Sequence, residues 1–375
     1  MKHSLLFGLA LSSISCTTYA QSVTLYGVVD TGVEFVNHVG AKGQTLARMP
    51  GNSGLIPSRW GLRGVENLGG GLQAVFVLEN GFNTRGGDIS QGGRLFGRQS
   101  WVGLSGSWGA LSFGRQYTRT TYALADNEIS GPAVYSLGSF DNYLPNARAD
   151  NSVAYKGRFG PFTIGAMYSF GRDSAGTGNS PGQGTCAGQV AGDFQQCTNL
   201  SALLRYDTPH FGAAASYEEQ RGGQNAAFSF FDGLAPAPLG RNGKDIRTQL
   251  NAYAKFGAVK FDAGWLGRRV EPGEAGPASV RSDLYFAGVS YLATPAFRVD
   301  GEGFRMINPQ HDTRATMAML RGAYSLSKRT AAYVQAAYLM NSRHAAYNVS
   351  AGGAGATPGV GMNQTGAMVG LQHSF

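Results

Sequence analysis

Short runs of alternating apolar and polar residues recur along this chain at intervals of about twenty residues. Val23, Leu25, Gly27, Val29 and Val33 alternate with Thr24, Tyr26, Asp30 and Glu34. Later, Val259, Phe261, Ala263 and Trp265 alternate with Lys260 and Asp262, and Phe297, Val299 and Gly301 with Arg298, Asp300 and Glu302. Period-two patterning gives strands with one apolar and one polar face. In a solid core each of those charges would cost several kcal/mol unless paired. Facing a water-filled lumen they cost little, so the pattern points to an all-β wall between an apolar surrounding and water.

Composition separates the two ways of building such a wall. Only 14% of residues are charged, against about 25% in ordinary soluble domains. Hydrophobic content is 42%, in alternation and not in blocks, and 56 of 375 residues are glycine, about twice the usual share. A secreted pair of β-sandwiches would share the periodicity but carry more charge outside. A transmembrane antiparallel β-barrel accounts for all of it, with lipid-facing positions apolar and lumen positions polar and often small. No window offers the roughly 18 consecutive apolar residues of a membrane helix. The basic residues are dispersed, with no basic run or recognised motif, which argues against nucleic-acid binding.

The first twenty residues read as a cleaved secretory signal: Lys2 and His3 are basic or polar, Leu5 to Leu11 apolar, and Thr18-Tyr-Ala20 a small-residue cleavage site. Residues 21–375 then form one barrel domain, because no Pro/Ser linker or change of composition divides them. Losing Lys2 takes the formal charge from +8 to +7. Cys16 leaves with the signal; a lipoprotein reading would need an aliphatic residue where Ser13 stands. Cys186 and Cys197 remain, close together in a Gly- and Gln-rich segment exported to an oxidising compartment, and are expected to form a disulfide that staples a surface loop. Two cysteines with no nearby histidine make a poor zinc set, and no cofactor is expected.

Short Gly or Pro turns near 67–71, 105–109, 158–161, 207–212, 257–258, 293–296 and 327–330 alternate with long polar loops near 38–56, 83–95, 117–148, 172–198, 221–244, 271–280, 307–312 and 342–362. Those connections give sixteen strands, with fourteen or eighteen as alternatives. Long loops at one end and short turns at the other suit a bacterial outer-membrane barrel. The longest connection, from Arg115 to Arg148, shows no clean strand or amphipathic helix. A structureless stretch of that length is expected to be functional. Folded into the lumen, it would set opposed charges at the narrowest point.

Several motifs in order resemble one known family: Ser22-Val-Thr-Leu-Tyr-Gly27, Ser58-Arg-Trp-Gly-Leu-Arg-Gly-Val-Glu66, Leu95-Phe-Gly-Arg98, Trp101-Val-Gly-Leu104, Gly114-Arg-Gln116, Asn151-Ser-Val-Ala-Tyr155 and Val369-Gly-Leu-Gln-His-Ser-Phe375. The sequence is similar over its whole mature length to the general porins of Gram-negative outer membranes, in their β-proteobacterial branch. That resemblance implies a trimer of sixteen-stranded barrels passing small hydrophilic solutes and ions by diffusion. It also implies outer-membrane lipid and lipopolysaccharide as surroundings, and Phe375 as part of the signal read by the barrel-assembly machinery. By motif, Arg59, Arg115 and Arg148 match a row of wall arginines, with Arg63 and Arg98 as further candidates. The facing acids are assigned by position only, as Asp126 and Glu128, then Asp141, because the family's Pro-Glu-Phe-Gly element is absent.

Arginine stays charged at any physiological pH, and rings of it favour anions, so an anion preference is expected. If the positive charge sat mainly in external loops or turns, salt would screen it within about 8–10 Å. Two other classes compete. A barrel enzyme would need a nucleophile and base, yet no histidine shows a patterned carboxylate partner, and Gly178-Asn-Ser-Pro-Gly182 lacks the strand and helix of a nucleophile elbow. An adhesin could use the long Gly-rich loops, which equally suit the variable solvent face of a barrel.

Overall fold

A computed structural model describes residues 22–375 except 52–53, 126, 175, 177–181 and 276–277. The alternating runs become strands of a single antiparallel sheet. In chain order these are β1 (Ser22–Val39), β2 (Arg59–Gly69), β3 (Leu72–Gly81), β4 (Gln99–Gly106), β5 (Gly109–Tyr117), β6 (Arg148–Phe159), β7 (Phe162–Ser169) and β8 (Asn199–Asp207). They continue as β9 (Phe211–Arg221), β10 (Lys244–Phe256), β11 (Val259–Glu271), β12 (Val280–Thr294), β13 (Phe297–Asn308), β14 (Thr313–Ser325), β15 (Thr330–Asn341) and β16 (Gln364–Ser374). Each pairs with its sequence neighbour, and β1 pairs with β16 from Val28↔Ser374 to Val36↔Gly366. The sheet therefore closes on itself as a sixteen-stranded barrel, with every wall strand paired on both sides, as a lipid surrounding demands. Outside the wall, Gln44–Arg48 lies in the first long loop and folds back on β1, and Ala227–Phe228 pairs with Ala237–Pro238 within the fifth. Phe375 completes the seam: its N–H and C=O exchange hydrogen bonds with Gly27, both 3.1 Å.

Burial follows the alternation. Along β1, Asp30 and Glu34 are buried toward the interior, while Val29, Val33 and Phe35 are exposed on the outside. Along β13, Asp300 and Glu302 are interior and Phe297 is exposed. The outward apolar residues are the surface that lipid would cover.

The interior is not uniformly polar, which corrects the expectation of a polar lumen throughout. On β13 the face that carries Asp300 and Glu302 continues into Phe304 and Met306, both buried. They join Leu284, Phe286 and Met317 of the neighbouring strands in one apolar cluster with Val134, Tyr135, Leu137, Phe140 and Leu144. Those five belong to the third long connection, so the loop lies inside the barrel and is packed against β11–β15. It also contains structure that the sequence pattern did not show: a helix α1 (Arg119–Leu124) and two single turns of 3₁₀ helix at Leu137–Ser139 and Leu144–Asn146. A six-residue helix is too short to display an amphipathic period. Here it is held by its surroundings, the backbone N–H of Arg119 donating to Ser201 Oγ at 3.0 Å.

Cys186 and Cys197 are bonded, with their Cα atoms 5.3 Å apart. They sit in a small apolar cluster with Phe228, Phe230 and Leu239, joining the fourth and fifth long loops above the barrel.

Candidate functional site

Three strand beginnings bring guanidinium groups to one stretch of interior wall, and two strand ends place the groups between them. Arg59 opens β2, Arg98 immediately precedes β4 and Arg148 opens β6. Glu79, near the end of β3, stands between the first two: its carboxylate meets Arg59 Nε at 3.5 Å and Arg98 Nε at 2.8 Å, and it accepts from the Tyr26 hydroxyl at 3.0 Å. Tyr117, the last residue of β5, links the second and third. Its hydroxyl accepts from Arg98 at 2.5 Å and from Arg148 at 2.8 Å, and its ring lies under the Arg148 guanidinium at 4.4 Å. Ring face and hydroxyl together fix both cations, since each is favoured by π-electron density or an oxygen lone pair. The result is a row Arg59–Glu79–Arg98–Tyr117–Arg148 with three positive groups and one negative.

Arg115 is not in this row. The β5–β6 register slips between Gly114↔Ser152 and Gln116↔Ala149, where Asp150 and Asn151 oppose Arg115 alone, so the extra residue lies in β6, with Asn151 at φ +45°. Arg115 pairs with Ser100, on the face that carries exposed Val102 and Leu104, so it points to the outside of the wall. There it bonds Asp150 at 2.5 Å and the Gly97 carbonyl at 2.7 Å, beside Arg94 and Asp173. Strict alternation from the exposed Phe113 already puts Arg115 on the outer face; the motif match alone assigned it to the row. Arg63 lies inside but further along β2, over the Tyr26 ring at 5.4 Å.

Across from the arginine row is the tip of the third loop. Glu128 accepts the backbone N–H groups of Ser130 (3.1 Å) and Gly131 (2.6 Å) and so closes a tight turn. Burial pushes its carboxyl above the usual range. The turn is fixed to the far wall. Asn127 donates to Asn251 at 2.5 Å, Ile129 N–H to Asp262 at 2.6 Å and Ser130 N–H to Glu302 at 2.8 Å. Arg321 donates to the carbonyls of Ile129 (2.8 Å) and Ser130 (3.1 Å) while pairing with Asp300 at 2.8 Å. The wall's own carboxylates are therefore spent on holding the loop. Asp141 has the same office elsewhere in the loop, pairing with Arg247 at 2.8 Å and Arg268 at 3.7 Å, away from the arginine row. Asp126, the signal segment 1–20 and four of the five residues from Gly178 to Gly182 lie outside the described residues.

Between row and loop is a cavity of about 750 Å³, continuous with the end of the barrel where the short turns lie. Its described charged lining is Arg59, Arg98, Lys260, Arg298 and Arg321 against Glu128 and Asp300, so positive groups predominate. Sequence reasoning missed Glu79, Tyr117 and Arg321 as members of the site. Glu79 was legible as an inward position, but nothing local says that two arginines from other strands converge on it.

Two histidines have carboxylate partners, contrary to the sequence expectation. His311 Nδ1 lies 2.6 Å from Asp232, and His344 Nδ1 lies 3.0 Å from Asp312. The first pair joins residues 79 positions apart, brought together by loop convergence that no spacing reveals. The hydroxyl nearest it, Thr313, donates to Asp232 at 3.2 Å and not to the imidazole.

A closed sixteen-strand barrel with an inward-folded third loop and a charged opening defines the class of outer-membrane diffusion channels. The chain belongs to the Gram-negative porin family, which it matches over residues 8–344. It is 30% identical to outer membrane porin protein 32 of Delftia acidovorans over 392 aligned residues, covering the whole of both chains. It is 31% identical to an outer membrane porin of Bordetella pertussis, covering 89% of this chain and 93% of that one. Among solved structures, an anion-selective porin from Comamonas acidovorans superposes with a TM-score of 0.76 at 27% identity, covering 95% of this chain and all of the other. The protein is an outer-membrane porin, a water-filled path for small hydrophilic solutes.

Proposed function

We propose that this porin prefers anions, and that selectivity is set where Arg59, Arg98 and Arg148 face the Glu128 turn. The observation that carries this reading is the predominance of guanidinium and ammonium groups around the cavity. Coulomb interaction at such a lining acts at short range, where salt screens it little. A solute enters from the loop side, keeps most of its water, and crosses a field directed from the arginine row toward the loop carboxylate. Arg115, on the outer face, has no part in it. An anion-selective relative of the same fold supports the assignment.

The same reading includes cleavage after Ala20, a homotrimer in contact with lipid and lipopolysaccharide, and Phe375 as the residue through which the assembly machinery takes the chain. It also includes no catalytic activity: the His311–Asp232 pair ties the fifth long loop to the seventh and presents no nucleophile. Incubation with phospholipid or peptide substrates tests that last point.

The test of selectivity is the reversal potential of purified protein in a planar bilayer under a tenfold KCl gradient. A potential of chloride sign is expected. A potassium-signed potential would overturn the charge assignment while leaving the channel intact.

A further inference from the structure

Arg119 and Lys156 take no part in the constriction described above. Arg119 opens α1, and its side chain runs along the inner wall over β7, where Gly165 leaves it room: a Cβ at that position would lie 2.8 Å from Arg119 Cδ. The residue is 2% exposed, and its Nε has no hydrogen-bond partner. Its other terminal nitrogens donate to the Tyr117 carbonyl at 3.1 Å and the Tyr155 carbonyl at 3.5 Å. Lys156 follows Ser152 and Ala154 on the lumen face of β6 and is exposed to the channel. The two cations share one aromatic ring. The Arg119 guanidinium lies 4.9 Å and the Lys156 ammonium 4.3 Å from the centre of Tyr122. Among the described residues no carboxylate is within ion-pair distance of either.

A buried guanidinium without a counter-charge is costly, and a tyrosine ring offsets only part of that cost. A second cation beside it raises the cost further, so the pair is an electrostatic vacancy for negative charge. We propose that Arg119, Lys156 and Tyr122 form a second anion site, on the short-turn side of the constriction, that takes small oxyanions such as inorganic phosphate. Lys156 lies eight residues beyond Arg148 on the same strand, and the Tyr122 ring that carries it stands 6.4 Å from the Tyr117 ring of the row. An anion that has passed the arginine row meets this pair next. Phosphate suits it because its several oxygens can accept from a fork and an ammonium together. Arg119 is held by the loop and Lys156 by the wall, so a bound oxyanion would also bridge the two.

The experiment uses the full-length folded protein in a planar bilayer, in symmetrical KCl, with inorganic phosphate added to both sides. Chloride current should fall saturably as phosphate rises. Lys156→Gln should raise the half-blocking concentration by about tenfold, the scale of one charge-assisted hydrogen bond, and Lys156→Arg should restore it. Lys156 is exposed, so these variants should keep the heat-resistant mobility of the folded barrel. Block that does not saturate, or that is the same in Lys156→Gln, overturns the site. Block that weakens in Arg148→Ser but not in Lys156→Gln assigns phosphate to the constriction and likewise overturns it. Reversal potential in KCl alone reports the constriction, so either assignment can fail while the other stands.

Discussion

At the scale of single residues, the arginines divide by the side of the wall they occupy. Replacing Arg98 and Arg148 together by Ser removes two lumen charges and should shift the KCl reversal potential toward potassium. Arg115→Ser, on the outer face and paired with Asp150, should leave it unchanged. A selectivity change in Arg115→Ser of the same size would place its guanidinium in the lumen and overturn the outward assignment. Glu128 supplies a pH dependence. Burial raises its titration range, so it is neutral on the acid side of that range and charged above it. Lowering pH should therefore remove a negative charge beside the cavity and increase anion preference. The stability linked to this group runs the same way and is lost as pH rises through the raised range. Glu128→Gln should diminish both effects, read as reversal potential and urea midpoint against pH. The motif Gly114-Arg-Gln116 singles out a position but not a direction. The alternation along β5, from exposed Phe113 to Arg115, decides that its guanidinium serves the rim and not the pore.

At the scale of elements, the wall was largely legible. All sixteen strands fall between the turns and loops read from Gly, Pro and polar stretches, because alternation and turn chemistry are local properties. The third loop was legible only as a place. Its α1, its 3₁₀ turns and its apolar contacts arise from partners distant in the chain, such as Ser201 for Arg119, 82 residues away, and Phe304 for Phe140 at 6.1 Å. Distance in sequence also hid Arg321, which ties the loop tip to β14. Arg321→Ala leaves the Ile129 and Ser130 carbonyls without that donor and Asp300 with Arg298 alone. Breaking a buried pair of this kind costs about 3 kcal/mol. The expected readings are a lower urea midpoint and frequent brief closures in single-channel records. A quiet current with an unchanged midpoint would show that the apolar cluster holds the loop unaided.

At the scale of the whole molecule, both chain ends meet at one seam. Until β16 is in place, β1 and β15 are open edges with unpaired backbone groups that lipid cannot satisfy. Deleting Phe375 removes two seam hydrogen bonds and the terminal aromatic residue. If the residue is read as a signal, cells should accumulate much less folded porin while the purified variant still folds in detergent. Equal loss in both settings would assign Phe375 to stability alone. The loop packed against β11–β15 has a further consequence. Sixteen strands fix the circumference of the ring, but they do not fix its bore. The open passage is the remainder after an inserted plug of side chains has been subtracted. Changes of volume at Phe140, Phe304 or Met317 could thus widen or narrow the passage without touching a charge or adding a strand. Such a channel can be resized from within its own stuffing.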